Sequence, residues 1–500
     1  MLSSSPPPGS DPRDALFDVS ALAGGIGRKT GRSASIVLGF SGLRFAMTLL
    51  TTAVLARLVP PAEQGIVALA MPIVLLATGL SEFGLAQAVI QRKDITHRVV
   101  SALLWINVAL GAALGLVVVL LAGPATMFYG TPEIYPILIA LAPYVVFSAL
   151  AVPFVAILRR RMEIRTAELC NFAGIVAAAM LSIVAAVLGA GPWALVIQLV
   201  AAQGIAFLCL VFAVRWMPSA PWNSALSEAR SAIVFGGFLS AERLLNELVA
   251  SSQTAIIGRA FGNLDAGLFY RVLTLSQMPR RRIVAPLSGV FVPSLSRLQD
   301  KAVEFRAMYI RQISRGNLIL LPAGLLMILI PDAIVLILLG DAWLDAAVML
   351  TWLGLQPLTV LFASCNSWAL VATGKARQLF FTRLFSAVFV ITVLLLAVPY
   401  GIVTFVASYV IAQTCVGVGL MALVVMRYTP IDLRTIWAAL ASDLVFCASV
   451  LGLGFGVRAW LSQGVIIEGI LTGALVAGLL GLRILITPGY RRDILQIFRR

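Results

Sequence analysis

The stretch VVSALLWINVALGAALGLVVVLLA, residues 99–122, decides the fold class of this chain. It contains no charged residue, and Asn107 is its only amide side chain. A bilayer core of about 30 Å is crossed by about 20 helical residues, so this stretch is long enough to span it. The whole chain has the same character, with 60% hydrophobic and 12% charged residues and a mean hydropathy of +0.99. A soluble domain carries about 25% charged residues, so the composition predicts an integral membrane protein.

Similar stretches recur along the chain and predict an all-α, polytopic membrane bundle of about 14 transmembrane helices in two pseudo-symmetric lobes around a central cavity. The predicted spans are 34–56, 65–90, 99–122, 134–158, 168–188, 192–213, 232–258, 266–292, 317–339, 346–372, 378–398, 402–426, 436–457 and 465–486. We assign 1–33 to a disordered cytoplasmic tail, 34–213 to an N-terminal lobe, 214–426 to a C-terminal lobe, and 427–500 to two extra spans and a basic cytoplasmic tail.

The basic residues predict the orientation in the membrane. Of the 37 Lys and Arg residues, 28 are assigned to the tails and to every second loop, three to the opposite loops and six to spans. Because short cytoplasmic loops carry the excess of Lys and Arg, both termini are expected in the cytoplasm. The basic residues punctuate hydrophobic segments, so the sequence pI near 10.3 does not indicate a nucleic-acid partner. The polar segment 293–316 is expected to form either an amphipathic helix at the membrane interface or a solvated linker.

The basic residues within spans are all arginine. A charge at the bilayer centre costs about 2.5–3.5 kcal/mol on insertion scales, so such residues normally face a cavity and serve a function. Guanidinium groups bind phosphate through two parallel hydrogen bonds. We therefore predict a cationic cavity that binds an anionic, phosphate-bearing substrate. Its candidate residues are Arg44, Arg243, Arg271, Arg280, Arg281 and Arg282.

Three spans carry their polar residues on one side of the helix. The sets are Ser41, Arg44, Thr48 and Thr51 in the first span, Ser240, Arg243, Glu247, Ser251 and Thr254 in the seventh, and Arg271, Thr274, Arg281 and Ser288 in the eighth. Helical spacing of this kind allows all three sides to line one cavity. The alternative is that the Ser and Thr hydroxyls only join neighbouring helices.

Acidic residues within spans are candidates for ion coupling. Glu82, Glu242 and Glu247 lie within spans, and Asp443 and Glu468 lie near later helix ends. The six arginines outnumber the first three acids, which favours an anion that binds and leaves. Glu247 is one helical turn from Arg243, so it is either a structural ion-pair partner or a protonatable residue that couples transport to protons.

Several kinds of site are not expected. The five cysteines are scattered singly and His97 is the only histidine, so neither a disulfide framework nor a metal site is predicted. The glycine-rich stretch 24–30 lacks the Gly-Lys-Ser/Thr order of a phosphate loop and precedes a span, so no nucleotide or other cofactor is expected. The external loops 189–191 and 399–401 are very short, which leaves no room there for a catalytic domain and predicts that the chain is not an enzyme.

A short internal repeat supports two related halves. Arg57 to Gly65 and Arg259 to Gly267 share the order Arg, five residues, an acid, one residue and Gly. The copies follow the first and the seventh predicted spans, which run in the same direction. Parallel repeats are related by an axis along the membrane normal, and the substrate site is expected between them.

Six motifs occur in order along the chain: Leu55-Ala56-Arg57-Leu58-Val59-Pro60 with Gly65, Glu82-Phe83-Gly84-Leu85 continuing to Lys93, Gly191-Pro192-Trp193 continuing to Gln198, Ile256-Ile257-Gly258-Arg259 with Gly267 and Tyr270, Pro293-Ser294-Leu295-Ser296, and Gly340-Asp341-Ala342-Trp343. In these motifs the chain resembles bacterial polysaccharide flippases of the colanic-acid and succinoglycan export type, in the superfamily of multidrug, oligosaccharidyl-lipid and polysaccharide exporters. The resemblance runs from about Arg32 to Thr435, and its specificity comes from the order of the motifs.

This resemblance implies a two-lobed, alternating-access transporter with a cationic central cavity. The implied substrate is an undecaprenyl-diphosphate-linked oligosaccharide, moved between the leaflets of the bacterial inner membrane. Membrane lipids and a polysaccharide polymerase or co-polymerase are the other expected partners. Members of this family differ in where their cavity arginines lie, so the six arginines rest on the spacing argument alone.

Three other functions remain open on the sequence. A multidrug or cation exporter of the same fold would need an acidic cavity, whereas this one is predicted to be basic. A membrane glycosyltransferase or polymerase would need acidic catalytic residues in a sizeable external loop. A scaffold for a polysaccharide synthase complex has no sequence signature that separates it from a flippase.

Overall fold

The computed structural model describes residues 26–81, 95–220, 226–460 and 465–486. Only the backbone is described for 26–38, 226–244, 246, 282, 285, 286, 460 and 486. Glu82 therefore lies outside the described residues. Glu242, Arg243 and Arg282 lie in helical backbone, but their side chains are outside the description.

The regular elements of the described ranges are helices, which confirms the predicted all-α class. They are α1 Ile26–Leu58, α2 Pro61–Ser81, α3 His97–Tyr129, α4 Ile134–Arg160, α5 Ile164–Val187, α6 Trp193–Val214, α7 Leu226–Ser296, α8 Ala302–Leu329, α9 Pro331–Leu338, α10 Ala347–Leu353, α11 Leu355–Ala372, α12 Ala376–Ala397, α13 Ile402–Thr414, α14 Met421–Tyr428, α15 Leu433–Trp460 and α16 Val465–Ile486. Short 3₁₀ helices cover Asp341–Ala346 and Val398–Tyr400, and a π-helical segment, Cys415–Leu420, joins α13 to α14.

Within the described residues, 12 helical segments are long and apolar enough to cross a membrane, and the chain is a multi-pass membrane protein. They correspond to the predicted spans except the seventh and eighth, which both fall in α7. That helix is broken at Gly262, where φ is 87° and ψ is -173°. This backbone conformation is essentially confined to glycine, so Gly262 separates two helical segments where the two spans were predicted to meet. The total of 14 spans stays a prediction.

The chain divides into two compact units, residues 1–263 and 264–500. In unit 1, buried side chains of α3, α4 and α6 form a core that includes Leu103, Phe154 and Leu210. In unit 2, a second core brings together α7, α8 and α11 through Phe291, Phe305 and further apolar residues. The predicted lobes, which meet at residues 213 and 214, stay a prediction.

The first copy of the repeat closes the end of α1. Gln64 Nε2 donates to the carbonyl oxygens of Leu55 at 3.0 Å and Val59 at 2.8 Å. The Leu55 carbonyl also accepts the backbone N–H of Val59 at 2.9 Å, and the carbonyl of Val59 lies just past the end of the helix, where acceptors lack an intrahelical partner. Gly65 lies directly against the backbone of Asn263, which belongs to the same unit. A Cβ at position 65 would lie 1.8 Å from the Asn263 carbonyl oxygen, so only glycine fits this contact.

The segment after α6 is held against the start of α3 by polar contacts around His97, whose side chain is fully buried. Trp216 Nε1 donates to His97 Nδ1 at 2.8 Å, and His97 Nε2 lies 2.6 Å from Ser219 Oγ. The backbone N–H of Ser219 donates to Ser101 Oγ at 3.0 Å, and Trp105 Nε1 donates to the Ser219 carbonyl at 2.8 Å. The start of the connection between α6 and α7 is therefore fixed to unit 1.

The segment 293–316 differs from both of its predicted forms. Its second half belongs to α8, which continues without interruption from Ala302 to Leu329. Phe305, Tyr309 and Ile313 are fully buried in the core of unit 2. The amphipathic pattern is present, but its apolar face packs into the protein and not onto the membrane interface, and the segment is not a solvated linker.

Candidate functional site

Arg44 is paired with a carboxylate that the sequence analysis did not count. Its Nη2 lies 2.9 Å from Glu168 Oε2, and it approaches Ser41 Oγ at 3.5 Å. Glu168 begins the fifth predicted span and lies in α5, so the pair joins α5 to α1. This neighbour lowers the net positive charge expected from the arginines within spans. A role of Arg44 in substrate binding stays a prediction.

The part of α7 in unit 2, residues 264–296, carries the described arginines of the eighth predicted span. Arg271 is 8% exposed, and its Cζ lies 5.8 Å from the ring centroid of Trp343, which is fully buried. A guanidinium over an indole ring is attracted by the negative face of the aromatic system, so Arg271 is held by the turn Asp341–Ala346. Arg271 is therefore an anchored cation rather than a freely moving one.

Arg280 and Arg281 are exposed on the same helix. Arg281 Nη2 donates to Gln277 Oε1 at 3.1 Å, which uses one of the five N–H donors of a guanidinium. A helical rise of 1.5 Å per residue places Arg281 about 15 Å along the axis from Arg271. The helix thus carries two exposed guanidinium groups near the middle of the predicted eighth span and one buried guanidinium group about three turns away.

The hydroxyl groups of the predicted polar sides bond to helix backbones. Thr51 Oγ1 donates to the Met47 carbonyl at 2.8 Å, and Thr274 Oγ1 donates to the Tyr270 carbonyl at 2.8 Å. Ser251 Oγ lies 3.4 Å from the Pro72 carbonyl and links α7 to α2 within unit 1. Ser251 thus joins neighbouring helices, as the structural alternative predicts, whereas Thr51 and Thr274 bond within their own helices. Glu247, on the same part of α7, is partly exposed, and its coupling role stays a prediction.

Two further arginines, Arg383 and Arg483, lie inside helices and also inside the predicted spans 378–398 and 465–486, which corrects the count of six arginines within spans to eight. Arg383 is in α12, where its Nη2 donates to Ser367 Oγ of α11 at 2.8 Å. Arg483 is in α16 and forms an ion pair with Asp443 of α15. Both had been counted with the cytoplasmic segments although they lie within the stated bounds of their spans. Asp443 lies inside the thirteenth predicted span, where a carboxylate needs a cationic partner. This residue was the sequence signal that could have led to Arg483.

The Asp443–Arg483 pair belongs to a buried polar cluster of three helices. Asn317 Nδ2 of α8 donates to Asp443 Oδ2 at 2.5 Å, and Arg483 Nη2 also donates to Ser442 Oγ at 2.9 Å. Arg483 Cζ lies 4.9 Å from the centroid of the Phe446 ring. The three principal side chains are nearly inaccessible, with exposures of 1% for Asn317, 4% for Asp443 and 9% for Arg483.

Unit 1 also contains a cavity of about 350 Å³ between α2, α3 and α7. Prolines 72 and 124 lie inside α2 and α3 at this place, and apolar side chains supply most of the remaining walls. Tyr129, Ser251 and Ser252 are the polar residues of its lining. This chemistry suits a hydrocarbon chain and does not provide the cations that a phosphate group requires.

A family model described as polysaccharide biosynthesis protein matches residues 54–348, which is more than half of the chain. The chain belongs to this family. The match contains the motifs around Arg57, Gly191 and Arg259, and it includes the arginines of α7.

The names of several relatives refer to the biosynthesis of polysaccharides. The chain is 23% identical over 270 residues to the lipopolysaccharide biosynthesis protein WzxC of Escherichia coli (54% of this chain, 55% of the relative). It is 24% identical over 273 residues to the succinoglycan biosynthesis transport protein ExoT of Rhizobium meliloti (55% and 54%). These matches span about half the length of either relative. The teichuronic acid biosynthesis protein TuaB of Bacillus subtilis is 21% identical over 389 residues (75% and 78%).

Solved structures share the fold at low sequence identity. The lipid II flippase MurJ in an inward closed conformation has a TM-score of 0.69 at 12% identity, covering 92% of this chain and 100% of that protein. An inward-facing multidrug resistance transporter of the MATE family and MOP superfamily has a TM-score of 0.62 at 15% identity, covering 77% and 94%. The polytopic transporter fold predicted from the sequence is thereby confirmed.

Proposed function

We propose that this protein is a flippase for undecaprenyl-diphosphate-linked oligosaccharide repeat units. It moves them from the cytoplasmic to the periplasmic leaflet of the bacterial inner membrane, and the product feeds exopolysaccharide or lipopolysaccharide synthesis. The observation that carries the proposal is the pair of exposed guanidinium groups, Arg280 and Arg281, on a helix of a multi-pass member of the polysaccharide biosynthesis family. The names of WzxC and ExoT support a role in polysaccharide biosynthesis and transport.

The substrate has three chemically different parts, and the proposal assigns each a different environment. The diphosphate binds to arginines of α7, because a guanidinium matches phosphate oxygens with two parallel hydrogen bonds. The sugars occupy a wet cavity, and the prenyl chain stays in the bilayer. Arg271, Arg280 and Arg281 are the described candidates, and Arg44, Arg243 and Arg282 complete the proposed set.

Transport by alternating access needs an energy source, and we propose a proton gradient with Glu247 as the first candidate for coupling and Glu82 and Glu242 behind it. Both termini are proposed to lie in the cytoplasm. A polysaccharide polymerase or co-polymerase is the proposed protein partner. The protein acts as a transporter in this scheme and catalyses no covalent reaction.

A multidrug exporter of the same fold is the second candidate function. The similarity to a MATE transporter concerns the fold and gives no information on the substrate. Cationic drugs require an acidic binding surface, whereas α7 carries the consecutive arginines Arg280, Arg281 and Arg282. The charge therefore favours the anionic substrate. A polymerase or glycosyltransferase activity has no observation that favours it.

The test replaces Arg281 in cells that lack the chromosomal gene, with secreted polysaccharide and protein level measured together. Arg281→Ala should lower export at least about tenfold, because a hydrogen bond to a charged group is worth about 1.5–3 kcal/mol. Arg281→Lys should restore export only in part, since an ammonium cannot make the two parallel contacts.

Arg297→Ala is the matched control, because Arg297 is exposed just beyond the end of α7 and outside the predicted spans. It should leave export unchanged. Full polysaccharide yield from Arg281→Ala at normal protein level would contradict the assignment of Arg281 to the substrate site.

A further inference from the structure

The polar cluster of Asn317, Asp443 and Arg483 joins three helices within unit 2. The helices α8, α15 and α16 pack against one another, and each supplies one side chain to the cluster. Isolated charges are rare in the interior of a membrane protein because their desolvation is costly. A cluster that retains an acid there has either a structural or a functional reason.

The contacts of Asp443 are those of an ionised carboxylate. It accepts hydrogen bonds from Asn317 Nδ2 at 2.5 Å and from the guanidinium of Arg483. In this arrangement Asn317 Oδ1 is buried and has no hydrogen-bond partner among the described residues. A buried acceptor without a donor costs about 1–3 kcal/mol, so the amide is only half satisfied in this state.

A protonated Asp443 would satisfy that amide oxygen. The carboxylic acid has one O–H donor, and rotating the Asn317 amide by half a turn brings its oxygen to face that donor. Arg483 also contacts two groups of α15 other than the carboxylate, Ser442 Oγ at 2.9 Å and the centroid of the Phe446 ring at 4.9 Å. These contacts do not require a charge on Asp443, so the guanidinium retains partners on α15 when the carboxylate is protonated. The cluster therefore provides partners for both protonation states of Asp443.

We propose that Asp443 is a proton-binding site and that its protonation makes transport depend on pH through the attachment of α16 to α15. A proton taken from water forms the O–H bond, the carboxylate becomes neutral, and the net charge of the Asp443–Arg483 pair changes from zero to +1. The electrostatic part of the contact between α15 and α16 is then lost. This inference rests on the proposed function only for its transport readout.

The groups that face Asp443 are few. Arg483 is the charged group from α16, the neutral Asn317 comes from α8, and Cys447 lies one turn further along α15. Asn317 and Arg483 act as positioning residues in this proposal, because they respond to the charge of Asp443 and are not required to touch the substrate.

The experiment uses the full chain in vesicles of phosphatidylethanolamine and phosphatidylglycerol. The probe is a fluorescent undecaprenyl-diphosphate N-acetylglucosamine, and its transbilayer movement is followed at a series of pH values that are equal on both sides. The double variant Asp443→Asn with Arg483→Gln keeps the cluster neutral, so no unpaired charge is buried. The expected result is movement of the probe with at least a tenfold smaller change across the pH series than in the wild type.

The matched control is the double variant Asp332→Asn with Arg458→Gln. That pair, with a separation of 2.9 Å, joins the other end of α15 to α9 and is partly exposed. Its pH profile should equal that of the wild type. Asp443→Glu provides a second variant that keeps both charges, and moving the carboxylate by one methylene should displace the pH midpoint of transport.

The outcomes separate this inference from the proposed function. A wild-type protein that does not move the probe at any pH contradicts the flippase assignment, and infrared difference spectra of the solubilised protein still test the proton site. There the difference spectrum of the wild type should contain one protonated carboxyl component on acidification that is missing from the double variant, which retains the other acidic residues.

Movement of the probe with an unchanged pH profile in the double variant and in Asp443→Glu overturns the proton site and leaves the flippase assignment intact. A pH response abolished only by Glu247→Gln has the same consequence.

Discussion

At the scale of single residues, the only histidine of the chain has a defined structural role. The indole N–H of Trp216 can only donate, so His97 Nδ1 must accept. The proton of the neutral ring is then on Nε2, which faces Ser219 Oγ at 2.6 Å. A second proton on the ring would have to bind to Nδ1, where it would face the indole N–H, and two donors cannot form a hydrogen bond with each other. His97 therefore fixes the segment after α6 and is held in one neutral tautomer.

Replacing Trp216 should destabilise the protein by removing this donor. Trp216→Phe keeps an aromatic ring against Phe154 but deprives the buried His97 Nδ1 of the Trp216 hydrogen bond, which should cost about 1–3 kcal/mol. Thermal unfolding in detergent measures the effect. Trp105→Phe is the control, since that donor bonds to the Ser219 carbonyl from a residue that is 37% exposed. Equal losses in the two variants would argue against the special role of His97.

A second prediction at this scale concerns Asp265, in the predicted external loop at the start of unit 2. Burial raises the pKa of its carboxyl, and the negative charge of Asp345 raises it further. Because the pKa is raised on folding, ionisation at neutral pH opposes folding, and stability falls as pH rises through the folded-state pKa. Asp265→Asn should therefore raise the melting temperature at neutral pH.

The gain from Asp265→Asn should shrink on acidification and vanish below the unfolded-state pKa of about 3.9, where the aspartic acid is neutral in both states. Melting curves at a series of pH values test this dependence. Asp300→Asn, at an exposed position, is the control. If the gain in melting temperature from Asp265→Asn grew as the pH fell, the predicted direction of the pH dependence would be wrong.

At the scale of helices, close packing depends on glycine at particular contacts. A Cβ on Gly174 of α5 would lie 2.5 Å from the Ala202 carbonyl oxygen and 3.0 Å from the Cβ of Ala206, both in α6. Without a side chain at position 174, the two backbones approach closely, as is common between membrane helices.

Gly174→Ala should force α5 and α6 apart and lower stability by about 1–3 kcal/mol, the usual cost of overpacking. Gly123→Ala is the matched control within α3, because nothing lies within 4 Å of its added Cβ. That change should be neutral or stabilising by up to about 1 kcal/mol, since alanine has the higher helix propensity. The melting temperatures of the two variants measure the difference, and a Gly174→Ala variant as stable as Gly123→Ala would contradict the packing argument.

At the scale of the whole molecule, the distribution of basic residues predicts the orientation. Single cysteines in a cysteine-free background, labelled with a membrane-impermeant maleimide, test it at two exposed positions, Lys301 and Arg259. Position 301 should react only after the cytoplasmic side is opened, because it lies in a strongly basic segment. Position 259 should react from outside in intact spheroplasts. The reverse pattern would overturn the topology.

The sequence by itself determined the class of this protein and the position of 12 membrane-spanning segments. Insertion into a bilayer depends on the mean polarity of about 20 consecutive residues, which is a local property that one segment shows on its own. Gly65 was recognised in the sequence as part of the internal repeat, but its close contact with the backbone of Asn263 was seen only in the structure. The family followed from several motifs in the right order.

Only the tertiary structure decided which polar residues meet. The pairs Arg44 with Glu168 and Asp443 with Arg483 join different helices, and segment 293–316 buries its apolar face in unit 2. Such contacts depend on how each helix is rotated about its axis and on which neighbour it packs against. A periodic pattern shows that a helix has two sides, but it does not reveal whether lipid, water or another helix covers each side.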